Sequence, residues 1–342
     1  MRQSKIQNLI VFMMLFSLAV LLGTATVDAV DPIRIKPDGS VEGTKSIRNE
    51  GGTYVLTADI DNPLGIIVER DSIIIDGAGN TLQSEGTGNG IEIMYRNNVT
   101  VKNIRVVGFE YGIILDGSIN CGVSQSTLES NGFGGILVYR STGAILEGNT
   151  IVKNGDSGVQ IERTSGITFI GNDINANRVG VWANEAENCT FFGNSISNNE
   201  FYGVMLTQTA FSAGNLFYAN NLVNNFQQVS TSGHVNAWDN GTHGNYWSDA
   251  DLFDSNGDGI SENPYGIDEN NTDLRPLMVQ FKIPEFPATP IQPLFDLSKI
   301  LAIALFAGAA TLIAIVLLKK KSFRFKLSFS LDSADREARL RL

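Results

Sequence analysis

Short apolar runs separated by polar, Gly- and Asn-rich stretches recur through the middle of the 342-residue chain. Glycines at 90, 112, 135, 158, 180 and 203 stand 22 or 23 residues apart, and each opens a short strand: GIEI, GIIL, GILV, GVQI, GVWA and GVML. A second strand keeps the same step through Val101, Val123, Leu146, Phe169 and Phe191. A third follows five residues later, through Val106, Leu128, Ile151, Ile174 and Ile196. Asparagines at 131, 154, 177 and 199 then mark a turn, where tolerance of left-handed backbone is the expected role. A repeat of 20–50 residues signals a solenoid, and alternating strands without helical periodicity make each unit one turn of a parallel β-helix. Like residues then stack on rungs ~4.8 Å apart and form continuous core columns. Leu82 and Leu222 extend the series. The expected fold is all-β, with about seven rungs over residues 71–233 and an N-terminal cap over 30–70.

The two ends follow other patterns. Residues 1–29 run from Arg2 and Lys5 through apolar Leu9–Leu22 to Val27-Asp28-Ala29, the layout of a secretory signal. Ile300–Leu318 is an uncharged apolar run of 19 residues, long enough to cross a bilayer as one helix. Lys319, Lys320, Lys321, Arg324 and Lys326 follow at once, so the tail 319–342 is expected in the cytoplasm and the preceding chain outside. The expected arrangement is a single-pass cell-membrane protein with a membrane helix over 297–318. A Pro-rich spacer over 283–296 separates that helix from the body.

Charge divides at the same boundary. Residues 30–296 carry 32 acidic and 14 basic side chains, a net of −18, whereas the rest to the C-terminus carries 3 and 9. So acidic an exterior excludes nucleic acid as a natural partner. Cys121 and Cys189 fall in one inward column, Val99–Cys121–Ala144–Ile167–Cys189. Three rungs span ~14 Å, too far for a disulfide, so both are expected as reduced core residues.

The stretch DSNGDGISENPY, 254–265, places Asp254, Asn256 and Asp258 at alternate positions before Gly259. Those donors, the Ile260 carbonyl and Glu262 suit a structural Ca2+ ion. Asp249, Asp251, Asp268 or Asp273 are candidates to complete the shell. An ordinary Asx-rich turn without an ion is the alternative. The loop belongs to an expected C-terminal capping module over 234–282.

The repeats resemble the NosD-type, carbohydrate-binding and sugar-hydrolase group of right-handed β-helices, a pectin lyase-like solenoid. So does the entry Tyr54–Leu82, with IDGAGNTL opening the first rungs. Trp238–Leu277 and the IPEFP before the apolar run are similar to the ends of such helices in archaeal surface proteins. Ala250 departs from that pattern, since relatives of GNYWSD continue with an aromatic residue. The NosD resemblance also implies copper handling. The residues argue against it: three methionines (94, 205, 278), two separated cysteines and two histidines (234, 243) follow the signal, without the clustered soft or imidazole donors copper requires.

One outward column of the glycine-led strands reads Ile114, Leu137, Gln160, Trp182, Met205, and the next reads Asp116, Tyr139, Glu162, Asn184, Thr207. Apolar and aromatic residues facing water imply contact with something. Tyr139, Trp182 and Leu137 offer platforms for sugar rings, with Arg140 and Arg163 stacked on adjacent rungs beside them. Asp116 and Glu162, two rungs and ~10 Å apart, are the candidate acid pair if the face belongs to a glycosidase or lyase. Three readings stay open: other chain covers the stripe, the stripe binds carbohydrate or another cell-surface polymer, or it is catalytic. A structural or adhesion protein is also compatible. Carbohydrate binding is the expectation taken forward.

Overall fold

The computed structural model describes residues 30–207 and 212–286. Three parallel sheets run the length of one solenoid, with one antiparallel strand added to each of the first two at the N-terminal end. The first sheet contains the glycine-led strands, from Ile33–Ile35 and Ile66–Val68 through Gly134–Tyr139 and Ser157–Ser165 to Gln227–Ser230. The second and third contain the expected columns in register: Val101 pairs with Val123 and that with Leu146, and Val106 pairs with Leu128 and that with Ile151. The right-handed coil thus makes about eight turns, one more than expected, and six of the strands lie inside the stretch read as a cap. Insertions hide the terminal rungs from a periodicity search. The hairpin Ile47–Glu50 with Thr53–Leu56 separates Ile33 from its partner Ile66, and Leu222 finds Trp247 as its partner.

The core is a set of stacked columns, all buried, in which Cys121 and Cys189 are free thiols. Phe169, Phe191, Phe217 and Trp238 stack with ring centroids 4.2, 4.3 and 4.4 Å apart, each pair contributing about 0.5–1.5 kcal/mol beyond area burial.

The asparagines do something other than tolerate left-handed backbone. Ser130, Lys153 and Asn198 take the positive φ values, one residue before Asn131, Asn154 and Asn199. Those three asparagines and Asn177 are buried, and each hands hydrogen bonds to the next rung. Asn154 donates through its backbone N–H and its Nδ2 to Asn177 Oδ1, both at 2.9 Å, while its own Oδ1 accepts the same pair from Asn131. A second ladder climbs through Asn149, Asn172, Asn194, Asn220 and Asn245. A third links Asn215, Asn236 and Asn271. Buried backbone groups at a corner cannot join the sheets, so side-chain amides answer them. The glycine column follows from this. A Cβ on Gly158 would stand 2.7 Å from the Gly180 carbonyl and 2.8 Å from Asn177 Nδ2.

Every ladder donates toward the C-terminus: the first closes when Asn225 donates to Gln228 Oε1 at 2.8 Å, and the other two end on an acceptor with no donor of its own. A carboxylate fits. Asp273, fully buried, accepts the Asn245 N–H at 2.7 Å and Trp247 Nε1 at 2.8 Å, and Asn271 donates to both oxygens of Asp268 at 2.9 Å.

Beyond Leu277 the chain turns back along the solenoid. Asn221 and Phe281 exchange two hydrogen bonds, 2.7 and 2.9 Å, and Phe281 meets the Phe192 ring edge-on at 5.8 Å. Pro284 then lies over Gly193 and Phe286 over Gly171 and Gly148. Pro284 and Phe286, at the start of the expected spacer, are therefore packed against the body, and Phe281–Phe286 forms a strap along it, with Glu285 exposed. Added Cβ atoms on Gly148 and Gly171 would stand 2.6 and 2.3 Å from the Phe286 ring, so this second glycine column, Gly148–Gly171–Gly193, is the groove that admits it. The remaining spacer, the signal (1–29), the apolar run (297–318) and the tail (319–342) lie outside the described residues. No helix among the described residues is long and apolar enough to cross a membrane.

Candidate functional site

The outer face of the first sheet gathers most of the residues singled out in the sequence. Register places Ile114, Leu137, Gln160, Trp182 and Met205 on neighbouring rungs in one column, and Asp116, Tyr139, Glu162 and Asn184 in the next. Leu137, Tyr139, Gln160, Glu162 and Trp182 are half-buried, whereas Ile114 and Asp116 are buried. The returning segment Phe281–Phe286 passes over the corner between the second and third sheets, not over this face.

Charges on the face are answered across rungs. Arg140 grips Asp116 with Nη2 at 2.9 and 3.0 Å from the two oxygens and Nε at 3.2 Å. Its guanidinium lies 4.5 Å from the Tyr139 ring centroid and donates to the Tyr95 hydroxyl at 3.1 Å. The Arg140 charge is held on more firmly still by that hydrogen bond to Asp116. Arg163 pairs with Glu185 at 3.3 Å and reaches the Tyr139 hydroxyl at 3.4 Å. The stacked arginines are thus balanced by separate carboxylates. Glu162 has no ion pair among the described residues, whereas Asp116 is held by Arg140.

Sequence reasoning missed Tyr95 and Tyr111. Tyr95 sits at a left-handed corner, and Gly117 on the next rung leaves space for its ring. Tyr111 lies over Gly134, and its hydroxyl donates to Gln160 Oε1 at 3.1 Å. Burial, with Asp156, Glu162 and Glu110 nearby, pushes the Tyr111 phenol up and keeps it a donor. The doubled glycine of GFGG, 132–135, was the available signal.

At the C-terminal end, the 254–262 loop closes on itself through Asx turns. Asp254 accepts from Gly257 N–H at 2.7 Å and Gly259 N–H at 2.9 Å, which holds its carboxyl below the usual range. Asn256 Oδ1 and Asp258 Oδ1 accept from Asp258 and Ile260 N–H, and Glu262 accepts from Ser255. Each oxygen has a second lone pair, so these bonds leave acceptor capacity. Asp268 and Asp273, two suggested additions to the shell, are instead the ladder terminators, and Asp249 accepts from the Tyr265 hydroxyl at 3.2 Å.

A family model described as periplasmic copper-binding protein (NosD) matches residues 43–252, more than half the chain. The chain belongs to the NosD family. That description is of a periplasmic family, in keeping with a domain outside the cytoplasm. Solved structures similar to this NosD-family solenoid include the A-modules of two Azotobacter vinelandii mannuronan C-5 epimerases, AlgE4 and AlgE6. They are 15% and 18% identical, with TM-scores of 0.33 and 0.35, and the matches cover 48% and 50% of this chain. This chain spans only 57% and 60% of their length. The pectate lyase Pel9A is 14% identical with a TM-score of 0.36, covering 72% of this chain and 80% of its own. Likeness of this degree leaves each enzyme's chemistry with that enzyme. No curated protein matches the chain.

The residues present do not fit a copper centre. Among the described residues no three His, Cys, Asp or Glu side chains come together as a metal-binding group. Burial pushes the Cys189 thiol up to about 11 and raises that of Cys121, whereas a copper-binding sulfur must give up its proton.

Proposed function

We propose that this NosD-family protein binds carbohydrate at the cell exterior through the outer face of its first sheet. The carrying observation is the half-buried column of Leu137, Gln160 and Trp182 beside Tyr139 and Glu162, with the returning chain docked elsewhere. Flat rings beside amide and carboxylate groups suit the apolar faces and hydroxyls of sugars. Engagement of Asp116 by Arg140 argues against that carboxylate as a catalytic acid, because both oxygens are held by a fixed cation. Residues 1–29 would export the chain and 297–318 would tether it. The test is a glycan array probed with the full chain, with products read by mass spectrometry. Binding without cleavage, reduced tenfold or more by Trp182→Ala or Tyr139→Ala, is the expected result. Cleaved products would replace the binding reading with an enzymatic one.

The same reading gives the 254–262 loop a structural Ca2+ ion, which would draw together Asp254, Asn256, Asp258, the Ile260 carbonyl and Glu262, side chains not gathered as a metal-binding group in its absence. Calcium should raise the melting temperature of the full chain, and Asp258→Ala should remove that rise. A melting temperature indifferent to EDTA would leave the loop as a turn only.

A further inference from the structure

The outer face of the first sheet has one position with no side chain, and its neighbours are arranged around it. Gly134 pairs in register with Tyr111 on one side and Ser157 on the other. Its backbone is outside the left-handed region, so conformation does not require glycine there. Space does. A Cβ at 134 would stand 3.0 and 3.1 Å from two ring carbons of Tyr111. The ring therefore lies across this rung, flanked by Phe133 with centroids 5.7 Å apart, and its hydroxyl is held by Gln160 on the rung beyond.

That further rung and the one after it each carry a polar atom with nothing to bond. Ser157 is 1% exposed, and being in register with Gly134 its side chain leaves the sheet on the side of the Tyr111 ring. Its Oγ has no hydrogen-bond partner, and neither has the buried Nε1 of Trp182. Trp182 pairs in register with Gln160, three residues along the strand from Ser157. A buried polar atom left unpaired is costly and uncommon, and a ligand that supplies the missing partner explains it. Two such atoms bracket the amide that Tyr111 occupies.

We propose that Tyr111 is a displaceable stopper in a subsite for one uncharged, hydroxyl-bearing sugar ring. The tyrosine swings off Gly134, the sugar takes its place over the glycine, and sugar hydroxyls meet Ser157 Oγ, the Gln160 amide and Trp182 Nε1. The charge around the site selects against acidic sugars. Glu110, Asp156 and Glu162 all bear on Tyr111, Arg178 is paired with Asp156 at 3.5 Å, and Arg163 is turned to Glu185. A uronate, sulfate or phosphate would meet carboxylates without a free cation to answer it. This assignment rests on the carbohydrate reading of the face.

Two measurements on the full chain separate the stopper from that reading. Ser157→Cys places a thiol beneath the tyrosine, to be alkylated by iodoacetamide in the folded protein. Cys121 and Cys189, buried and kept protonated, supply only slow background. The introduced thiol should react, at least tenfold faster when Tyr111→Ala is added, and neutral oligosaccharides should protect it where oligouronates do not. A thiol that is inert, or that reacts equally with and without Tyr111, overturns the stopper alone. A gated thiol that no glycan protects overturns the sugar assignment together with the reading of the face. Calorimetry supplies the second measurement. Removing an occupant from a binding site recovers the affinity its presence withholds, so Tyr111→Ala should tighten a neutral oligosaccharide about fivefold or more. Tyr111→Phe, which loses only the bond to Gln160 and keeps the packing, should tighten it less. Weaker binding in either variant would make Tyr111 a sugar platform and end the proposal.

Discussion

Two surfaces of the same rungs follow opposite rules. At the corners, Asn131, Asn154, Asn177 and Asn199 repeat one residue at one position, each buried and each bonded to the next. On the outer face of the first sheet, the same four rungs carry Leu137, Gln160, Trp182 and Met205, four different residues that mix aliphatic, amide and aromatic side chains. A corner must satisfy the same buried backbone groups at every turn, so its solution is copied. The outer face has no such repeated demand, and its contacts, such as Arg140 with Asp116 and Tyr111 with Gln160, differ from rung to rung.

The sharpest way to break the contrast is to damage one rung of the ladder. Asn172→Leu strips the acceptor from Asn149 N–H and Nδ2 and the donor from the Leu146 carbonyl. Asn149 N–H and the Leu146 carbonyl lose these bonds while Asn149 Nδ2 keeps the Val123 carbonyl, so urea unfolding should show a loss of about 2–4 kcal/mol. A loss below about 1 kcal/mol would mean that water replaces the amide and the ladder is not what fixes the corner.

A smaller effect is expected at the ladder's end, and it has a pH signature. Burial lifts the Asp273 carboxyl above its ordinary value, against the pull of the N–H groups it accepts. A carboxyl with a raised folded pKa holds its proton in the folded state over a range where the unfolded chain has released it. Its contribution is therefore largest below the ordinary carboxyl value and declines as pH rises from there through the folded value. Asp273→Asn should remove this decline, so the stability gap between wild type and variant should change across that window and level off above it. A gap independent of pH would show that Asp273 titrates as an ordinary carboxylate.

The strap gives a third and weaker test. Phe286→Ala removes a half-buried ring from the glycine groove, a change of about 1–2 kcal/mol, visible as faster amide exchange in residues 279–286. Unchanged exchange would leave the fastening to Asn221, Phe192 and the Pro284 contact with Gly193. At the bottom of the range, Trp182→Ala should alter unfolding by less than about 1 kcal/mol, since the outer face contributes little to the fold. A large loss there would erase the contrast between the two surfaces.

The same contrast explains what could be read from the sequence. Inward columns such as Val101–Val123–Leu146 were legible because each rung presents an identical demand. The asparagines were legible as a period but not as a ladder, since a turn residue and a buried amide leave the same trace in spacing. Asp116 and Arg140, 24 residues apart, appeared as an acid candidate and a sugar contact, and only folding joins them as an ion pair. Which way Tyr111 leans over an empty neighbouring position is a side-chain direction, which periodicity does not contain. The strap was hidden for a related reason. Its partner is a column of glycines, and a Pro-rich segment with no matching side chains reads as a spacer.

That strap changes where a mechanical load would enter the molecule. Phe286 touches the rungs of Gly148 and Gly171, well short of the C-terminal cap. Tension on the chain beyond it would first bear on the side of the coil, peeling Phe286, then Pro284, then Phe281 from their seats. Only after that sequence would the pull reach Leu277 and the aromatic stack beneath it. Under such a load the strap would act as a strain relief, like the clamp on a cable that keeps a tug from reaching the solder.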